Sequence, residues 1–257
     1  MRKFLCFVTV LVLCSCSVKE DRSVCPCELV VRCEDALKTE GSVLVSVVQD
    51  HAVVKQGMLS REDFEAGLCS LTVPRRPSLV TVFTGITEMD LKDGRWLEIL
   101  YENQCDELYS CGENADLRGE RYECVVSLHK NFVRLFLTII GMPEGASASV
   151  TGPVRGYDLT DQSPVSGTFS CSSFMADAGN EYCVRLPRQV DDELSLNIYQ
   201  PGKPDMLVAL GQMIAESGYS YDDPDLQDIA VTVDLSSSKV MIAVADWETE
   251  EYNIIEY

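Results

Sequence analysis

This chain is poor in the residues from which most binding and catalytic sites are built. It holds two histidines, His51 and His129, and neither stands beside a recognisable serine or cysteine nucleophile, so no triad is legible. No two cysteines have the C-x2-C spacing of structural zinc sites; Cys25-Pro26-Cys27 is one residue short, which also argues against a C-x-x-C redox pair. Basic residues are scarce: 21 Lys and Arg face 41 Asp and Glu, a net charge of −20 that argues against nucleic acid or an anionic lipid surface as a direct partner. With so many acids, no particular pair of facing carboxylates can be nominated for glycoside chemistry. The loop Asp222-Asp223-Pro224-Asp225-Leu226-Gln227-Asp228 is rich in oxygen ligands that could hold calcium, but it lacks the alternation, glycine and closing glutamate of an EF-hand. The expectation is a chain with no enzyme activity, no metal and no cofactor.

Long apolar runs are also missing. The one at the start, Phe4 to Leu13, is half of the roughly 20 residues that a membrane-spanning helix needs. It follows Arg2-Lys3 and leads into Leu13-Cys14-Ser15-Cys16, the order of an export signal. Leucine at −3, serine at −1 and cysteine at +1 resemble the lipobox of bacterial lipoproteins. That resemblance implies cleavage of a signal peptide over residues 1–15, a diacylglycerol on the Cys16 thiol, and usually an acylated (palmitate-type) amino terminus. Each buried methylene contributes roughly 0.8 kcal/mol, so two or three chains hold a protein where one does so only marginally. Next come Lys19, Glu20 and Asp21, which resemble the signal sending lipoproteins to the outer face of the outer membrane in some anaerobic Gram-negative bacteria. Residues 16–27 are therefore expected to form a lipidated tether at the cell surface.

Without residues 1–15 the chain has 242 residues and, Arg2 and Lys3 being lost, a net charge of −22. Hydrophobic content of 46% and charged content of 24% are globular values, so the mature chain should fold, as one large or two modest domains. Twelve cysteines become nine once Cys6 and Cys14 leave and Cys16 is acylated. Export permits disulfides, and an odd number leaves at least one thiol free or paired between chains.

Strand signals dominate the chain beyond the tether. Glu28–Cys33, Ser42–Val48 and Ala52–Lys55 are short β-branched runs, and Leu68–Val73 and Leu79–Phe83 flank Pro74-Arg75-Arg76-Pro77, which cannot lie in the middle of a sheet. Ser60 is placed to cap one short helix over 60–65. Arg95 to Leu108 fits helical and strand periods equally well, and Tyr122–Leu128 returns to strand. Phe132–Ile140 is the most apolar stretch of the mature chain, a pattern that implies burial on both faces or a covered edge. Further strands are expected at 146–150, 167–172, 181–186, 194–199, 206–210, 229–235 and 240–244. Many short strands with almost no helix predict an all-β chain of two sandwiches, residues 28–127 and 128–257, abutting without a low-complexity linker.

Three segments, in order, resemble one family. Asp21-Arg22-Ser23-Val24-Cys25-Pro26-Cys27 is similar to the opening of FimB-type fimbrial anchor lipoproteins. Leu128-His129-Lys130-Asn131-Phe132-Val133-Arg134-Leu135 resembles the strand that opens their second domain, and Asp246-Trp247-Glu248 with Ile254-Ile255-Glu256-Tyr257 their closing strand. The surplus of cysteines departs from the family pattern. The resemblance implies two tandem transthyretin-like β-sandwich (Greek-key) domains at the base of a type V pilus, tying the shaft to the outer membrane. It implies pilin subunits of the same fimbria as partners, met by strand addition. The candidate contact strand is C-terminal, with Tyr252, Ile254, Ile255 and Tyr257; it could equally complete its own domain's sheet. Two other functions remain open. One is a surface glycan-binding lipoprotein using Trp96, Tyr101, Tyr109, Tyr219 and Tyr221 as an aromatic platform; the other is a minor or tip adhesin subunit of the same pilus.

Overall fold

The structure, a computed structural model, describes residues 21–33, 36–175, 181–244 and 250–253. Cys16, Lys19 and Glu20, Trp247, and the terminal Ile254, Ile255 and Tyr257 lie outside the described residues. The all-β expectation holds, as two tandem β-sandwiches.

The first sandwich opposes two sheets. One has three strands in the order β4 (Ser70–Pro74), β1 (Pro26–Cys33), β9 (Arg121–Val126). The other runs β10 (His129–Lys130), β8 (Tyr109–Asp116), β5 (Pro77–Ile86), β2 (Ser42–Gln49), β3 (Ala52–Leu59). β2 turns into β3 through Asp50 and His51, both left-handed with φ of 50° and 62°, as a tight hairpin requires. Helix α1 (Arg61–Glu65) is capped by Ser60, whose hydroxyl accepts from the Asp63 amide at 3.1 Å.

The second sandwich repeats the plan with additions. One sheet is β14 (Glu181–Pro187), β11 (Phe132–Ile140), β17 (Ile229–Asp234), β18 (Lys239–Val244), β19 (Glu250–Asn253). The other centres on β12 (Ser147–Asp158), with β13 (Pro164–Met175) along one side and β15 (Ser195–Tyr199) and then β16 (Met206–Val208) along the other. In both sandwiches the opening strand lies between an antiparallel and a parallel neighbour: β1 between β4 and β9, β11 between β14 and β17.

Burial departs from the sequence pattern in one respect. The pattern of β11 implies burial on both faces or a covered edge. The strand instead lies inside its sheet, between β14 and β17, with alternating burial, and Phe136 and Ile140 remain 47% and 40% exposed. The strands covered on both faces are β2 and β5. Val43, Val45, Val47, Val80 and Val82 face the first core, whereas Leu44, Phe83 and Ile86 pack into the second. A sheet with a core on each side needs apolar residues at consecutive positions. The ambiguous stretch at 95–108 supplies one short strand, β7 (Trp96–Glu98), paired with β6 (Asp90–Lys92). A helix, α2 (Leu210–Glu216), stands where strand character was expected to end.

Candidate functional site: the tether, the strand edges and the fused junction

Of the tether, Asp21 onward is described. The Asp21 carboxylate accepts from the Ser23 amide at 2.9 Å, and that bond holds its carboxyl below the usual range. A turn follows, with the Cys25 amide donating to Arg22 O at 3.0 Å. The chain is then gripped: the Arg75 amide donates to Cys25 O at 3.1 Å, and Arg75 Nε to Pro26 O at 3.0 Å. Cys25 is half-buried and Cys27 fully so; burial pushes the Cys27 thiol up, against thiolate chemistry. The tether thus runs straight into β1, the middle strand of its sheet.

At the far end of the sequence, β19 pairs antiparallel with β18, Tyr252 opposite Val240, and is the outer strand of its sheet among the described residues. This part of the candidate contact strand pairs within its own sandwich.

Between the two ends the sandwiches are fused rather than merely abutting. The β6–β7 hairpin leaves the first half of the chain and joins the second sandwich, with Trp96, Leu97 and Glu98 opposite Asp158, Tyr157 and Gly156 of β12. The pairing continues through the Ile99 amide to Arg155 O at 2.8 Å and the Leu159 amide to Arg95 O at 2.9 Å. A Cβ at Gly156 would collide with the Leu97 carbonyl oxygen, so only glycine admits the graft. In the other direction β10 pairs with β8, placing His129 and Lys130 in the sheet of the first sandwich. The boundary expected at 127/128 is therefore crossed both ways.

Two buried carboxylates hold this junction, and neither was visible in the sequence. Asp106 accepts the amides of Thr87 at 2.8 Å, Met89 at 2.9 Å and Glu88 at 3.0 Å, fixing the loop from which β6 departs. Asp158 accepts Arg95 Nη2 at 2.8 Å and the Thr160 amide at 2.8 Å. Burial works to raise its pKa, and Arg95 and Thr160 outweigh that, leaving it below the usual carboxylate range. The Tyr157 ring lies tilted at 45° to that of Phe83 of β5, centroids 6.0 Å apart, and the Tyr157 hydroxyl donates to Asn131 O at 2.6 Å, tying both sandwiches to the segment that links them.

The remaining sequence candidates disperse. In the acidic loop, Asp225 accepts the Lys130 amide at 2.7 Å and meets His129 Nδ1 at 3.0 Å, while Asp228 pairs with Lys130 and takes the Arg134 amide at 2.9 Å. Those carboxylates serve the junction, and among the described residues no group of three or more His, Cys, Asp or Glu is placed to hold a metal. Of the five aromatics, Tyr219 and Tyr221 pack edge to face at 4.9 Å, Tyr109 lies against Phe132, Trp96 has the guanidinium groups of Arg95 and Arg155 within 6 Å of its ring, and Tyr101 is exposed. His51 borders a cleft of about 680 Å³ with Asn114, Asp116, Arg118 and Asp161. No helix among the described residues is long and apolar enough to cross a membrane.

No protein-family model and no curated protein matches the chain. Solved structures do. The fimbrial anchor protein Mfa2 from Porphyromonas gingivalis aligns over 91% of this chain and 100% of its own, with a TM-score of 0.56 and 12% identity. A candidate polysaccharide-binding protein from Bacteroides thetaiotaomicron aligns over 90% and 99%, with a TM-score of 0.61 and 13% identity. A candidate adhesin from Bacteroides ovatus aligns over 93% and 99%, at 0.57 and 12%. At such identities the likeness is one of fold, and over nearly its whole length this chain has the fold of a fimbrial anchor protein, the resemblance that its short motifs carried.

Proposed function

We propose that this chain is a lipid-anchored support of a cell-surface fimbria, held in the outer membrane through Cys16 and meeting the first pilin of the shaft. The observation that carries this reading is the fold shared with Mfa2 across 100% of that protein. A pair of fused sandwiches on a short tether suits such a support, because it transmits position and needs no reactive group. On this reading the protein is not an enzyme. Pilin contact runs along the outer edge of β19 and the residues after it, main-chain bonds giving affinity and side chains fixing register. The test is Cys16→Ala in the native organism. Fimbriae shed into the medium, or few fimbriae at all, are expected; a normal number of cell-bound fimbriae would reject the anchor.

A second reading has one observation in its favour. The fold is shared with a candidate polysaccharide-binding protein, and the cleft beside His51 offers Asn114, Asp116, Arg118 and Asp161 as hydrogen-bonding groups beside the apolar Val48, Pro77 and Leu79. Among the described residues no Trp, Tyr or Phe lines that cleft to stack on a sugar ring. Retention of the purified chain on immobilised polysaccharide, with no pilin present, would favour this reading over the first.

A further inference from the structure

We propose that the first sandwich is a mechanical clamp, in which tension arriving through the tether loads β1 in shear against two neighbours at once. Only the source of the force rests on the anchoring reading; the rest is strand geometry. β1 is the first strand after the tether and the middle strand of its sheet. On one side it pairs antiparallel with β4, from Pro26 opposite Pro74 to Val30 opposite Ser70. On the other it pairs parallel with β9, from Glu28 opposite Arg121 to Cys33 opposite Val126.

The parallel pairing decides how force is shared. The tether pulls β1 from its first residue. The chain leaves β9 after Val126, at the opposite end of the ladder, and passes through β10 into Phe132 of the second sandwich. Opposed pulls at opposite ends slide the two strands along each other, so the ladder bonds carry load together. Had β9 been antiparallel, its exit would lie beside the start of β1, and the bonds would break one after another.

Side chains reinforce the ladder on both faces. Outside, Glu28 pairs with Arg121 at 2.9 Å and Arg32 with Glu123 at 3.3 Å, both between β1 and β9. Inside, Leu29, Val31, Cys124 and Val126 are buried in the first core. Withdrawing β1 would therefore break two ladders and empty a core in one step, which is a high barrier for forced unfolding.

The test is single-molecule force spectroscopy on the mature chain, with an attachment point replacing Cys16. In one geometry the second attachment is at Tyr257. In the other it is a ligation tag inserted after Gly119, in the exposed turn just ahead of β9, where an added Cβ meets only ordinary contacts, the nearest Arg121 O at 3.5 Å. The second geometry pulls the starting ends of β1 and β9 apart and peels the same ladder. An unchanged melting temperature verifies the tagged chain. At one loading rate the end-to-end geometry is expected to rupture at about twice the force of the peeling geometry or more. Equal or lower force end to end would overturn the clamp. That outcome, with Cys16→Ala still shedding fimbriae, would remove the clamp and leave the anchor standing; a clamp intact beside normal cell-bound fimbriae would do the reverse.

Discussion

The two sandwiches share a plan and differ at their margins. Each opens with a strand held between an antiparallel and a parallel neighbour, β1 in the first and β11 in the second. The first stops at β9, whereas the second adds β18 and β19 beyond β17 and borrows β6 and β7 for its other sheet. The first keeps its tethered strand in the centre, and the second ends on an outer strand in the described residues. On the proposed reading, one half is held from its beginning and the other presents an edge. Their cores differ too: Cys27, Cys69, Cys111 and Cys124 lie in the first, Cys105 and Cys171 in the second.

The comparison breaks most sharply if the halves unfold separately. Leu29 of β1 and Leu135 of β11 are both fully buried, one in each core. Leu→Ala at either should cost roughly 2–5 kcal/mol. Because the graft fuses the halves, either variant should lower a single calorimetric transition; two resolved transitions would show that the junction is weaker than its pairing implies.

Asp106→Asn attacks the junction itself. In the carboxylate, Oδ2 takes the amides of Thr87, Glu88 and Met89, while Oδ1 takes the Thr87 hydroxyl and a second bond from the Glu88 amide. The substitution puts an NH2 donor at one of those positions, facing N–H groups, and should cost roughly 1.5–3 kcal/mol in urea denaturation. A loss below about 0.5 kcal/mol would mean that the graft holds without this loop.

The thiols distinguish the first core by pH. Burial pushes Cys69 and Cys124 up to about 11 and Cys111 up to about 12. In the unfolded chain a thiol loses its proton near pH 8.5. Between that value and about 11 the unfolded state therefore holds fewer protons than the native one, and stability falls as pH rises. The reduced protein should lose on the order of 1 kcal/mol per buried thiol by pH 10, seen as a falling urea midpoint. Replacing Cys111 by Val should flatten that slope; an unchanged slope would refute the assignment. Native alkylation at pH 8 should reach the exposed Cys183 well before these three.

The smallest effect is on the surface of the clamp. Glu28→Gln removes an exposed ion pair with Arg121 and should change equilibrium stability by less than about 1 kcal/mol. A larger loss would mean that the β1–β9 ladder leans on this pair even without tension.

Much of the strand order could be read from the residues because a period of two is local. Glu28–Cys33, Ser42–Val48 and Leu79–Phe83 announce themselves, and Ser60 marks the start of α1 correctly. What could not be read is which sheet a strand joins. The β6–β7 hairpin has no local feature that directs it to β12, since that choice depends on long-range register and on a glycine at position 156. Phe132–Ile140 misled for a related reason: consecutive apolar residues mean two covered faces only if something lies on the second face. α2 did leave a trace, in the Leu210 and Ile214 spacing and in Gly218 with φ of 84° after its last turn. On the site, the lipobox resemblance of Leu13-Cys14-Ser15-Cys16 is legible because a signal of that kind is a linear string. Asp106 and Asp158 are not, because their partners come together only in the folded chain.

The most direct measurement is the mass of the amino-terminal peptide from protein purified out of the outer membrane. A lipid-anchored support predicts a peptide that begins at Cys16 and carries a diacylglycerol on its thiol. A peptide that begins elsewhere, or a Cys16 thiol without lipid, would contradict it.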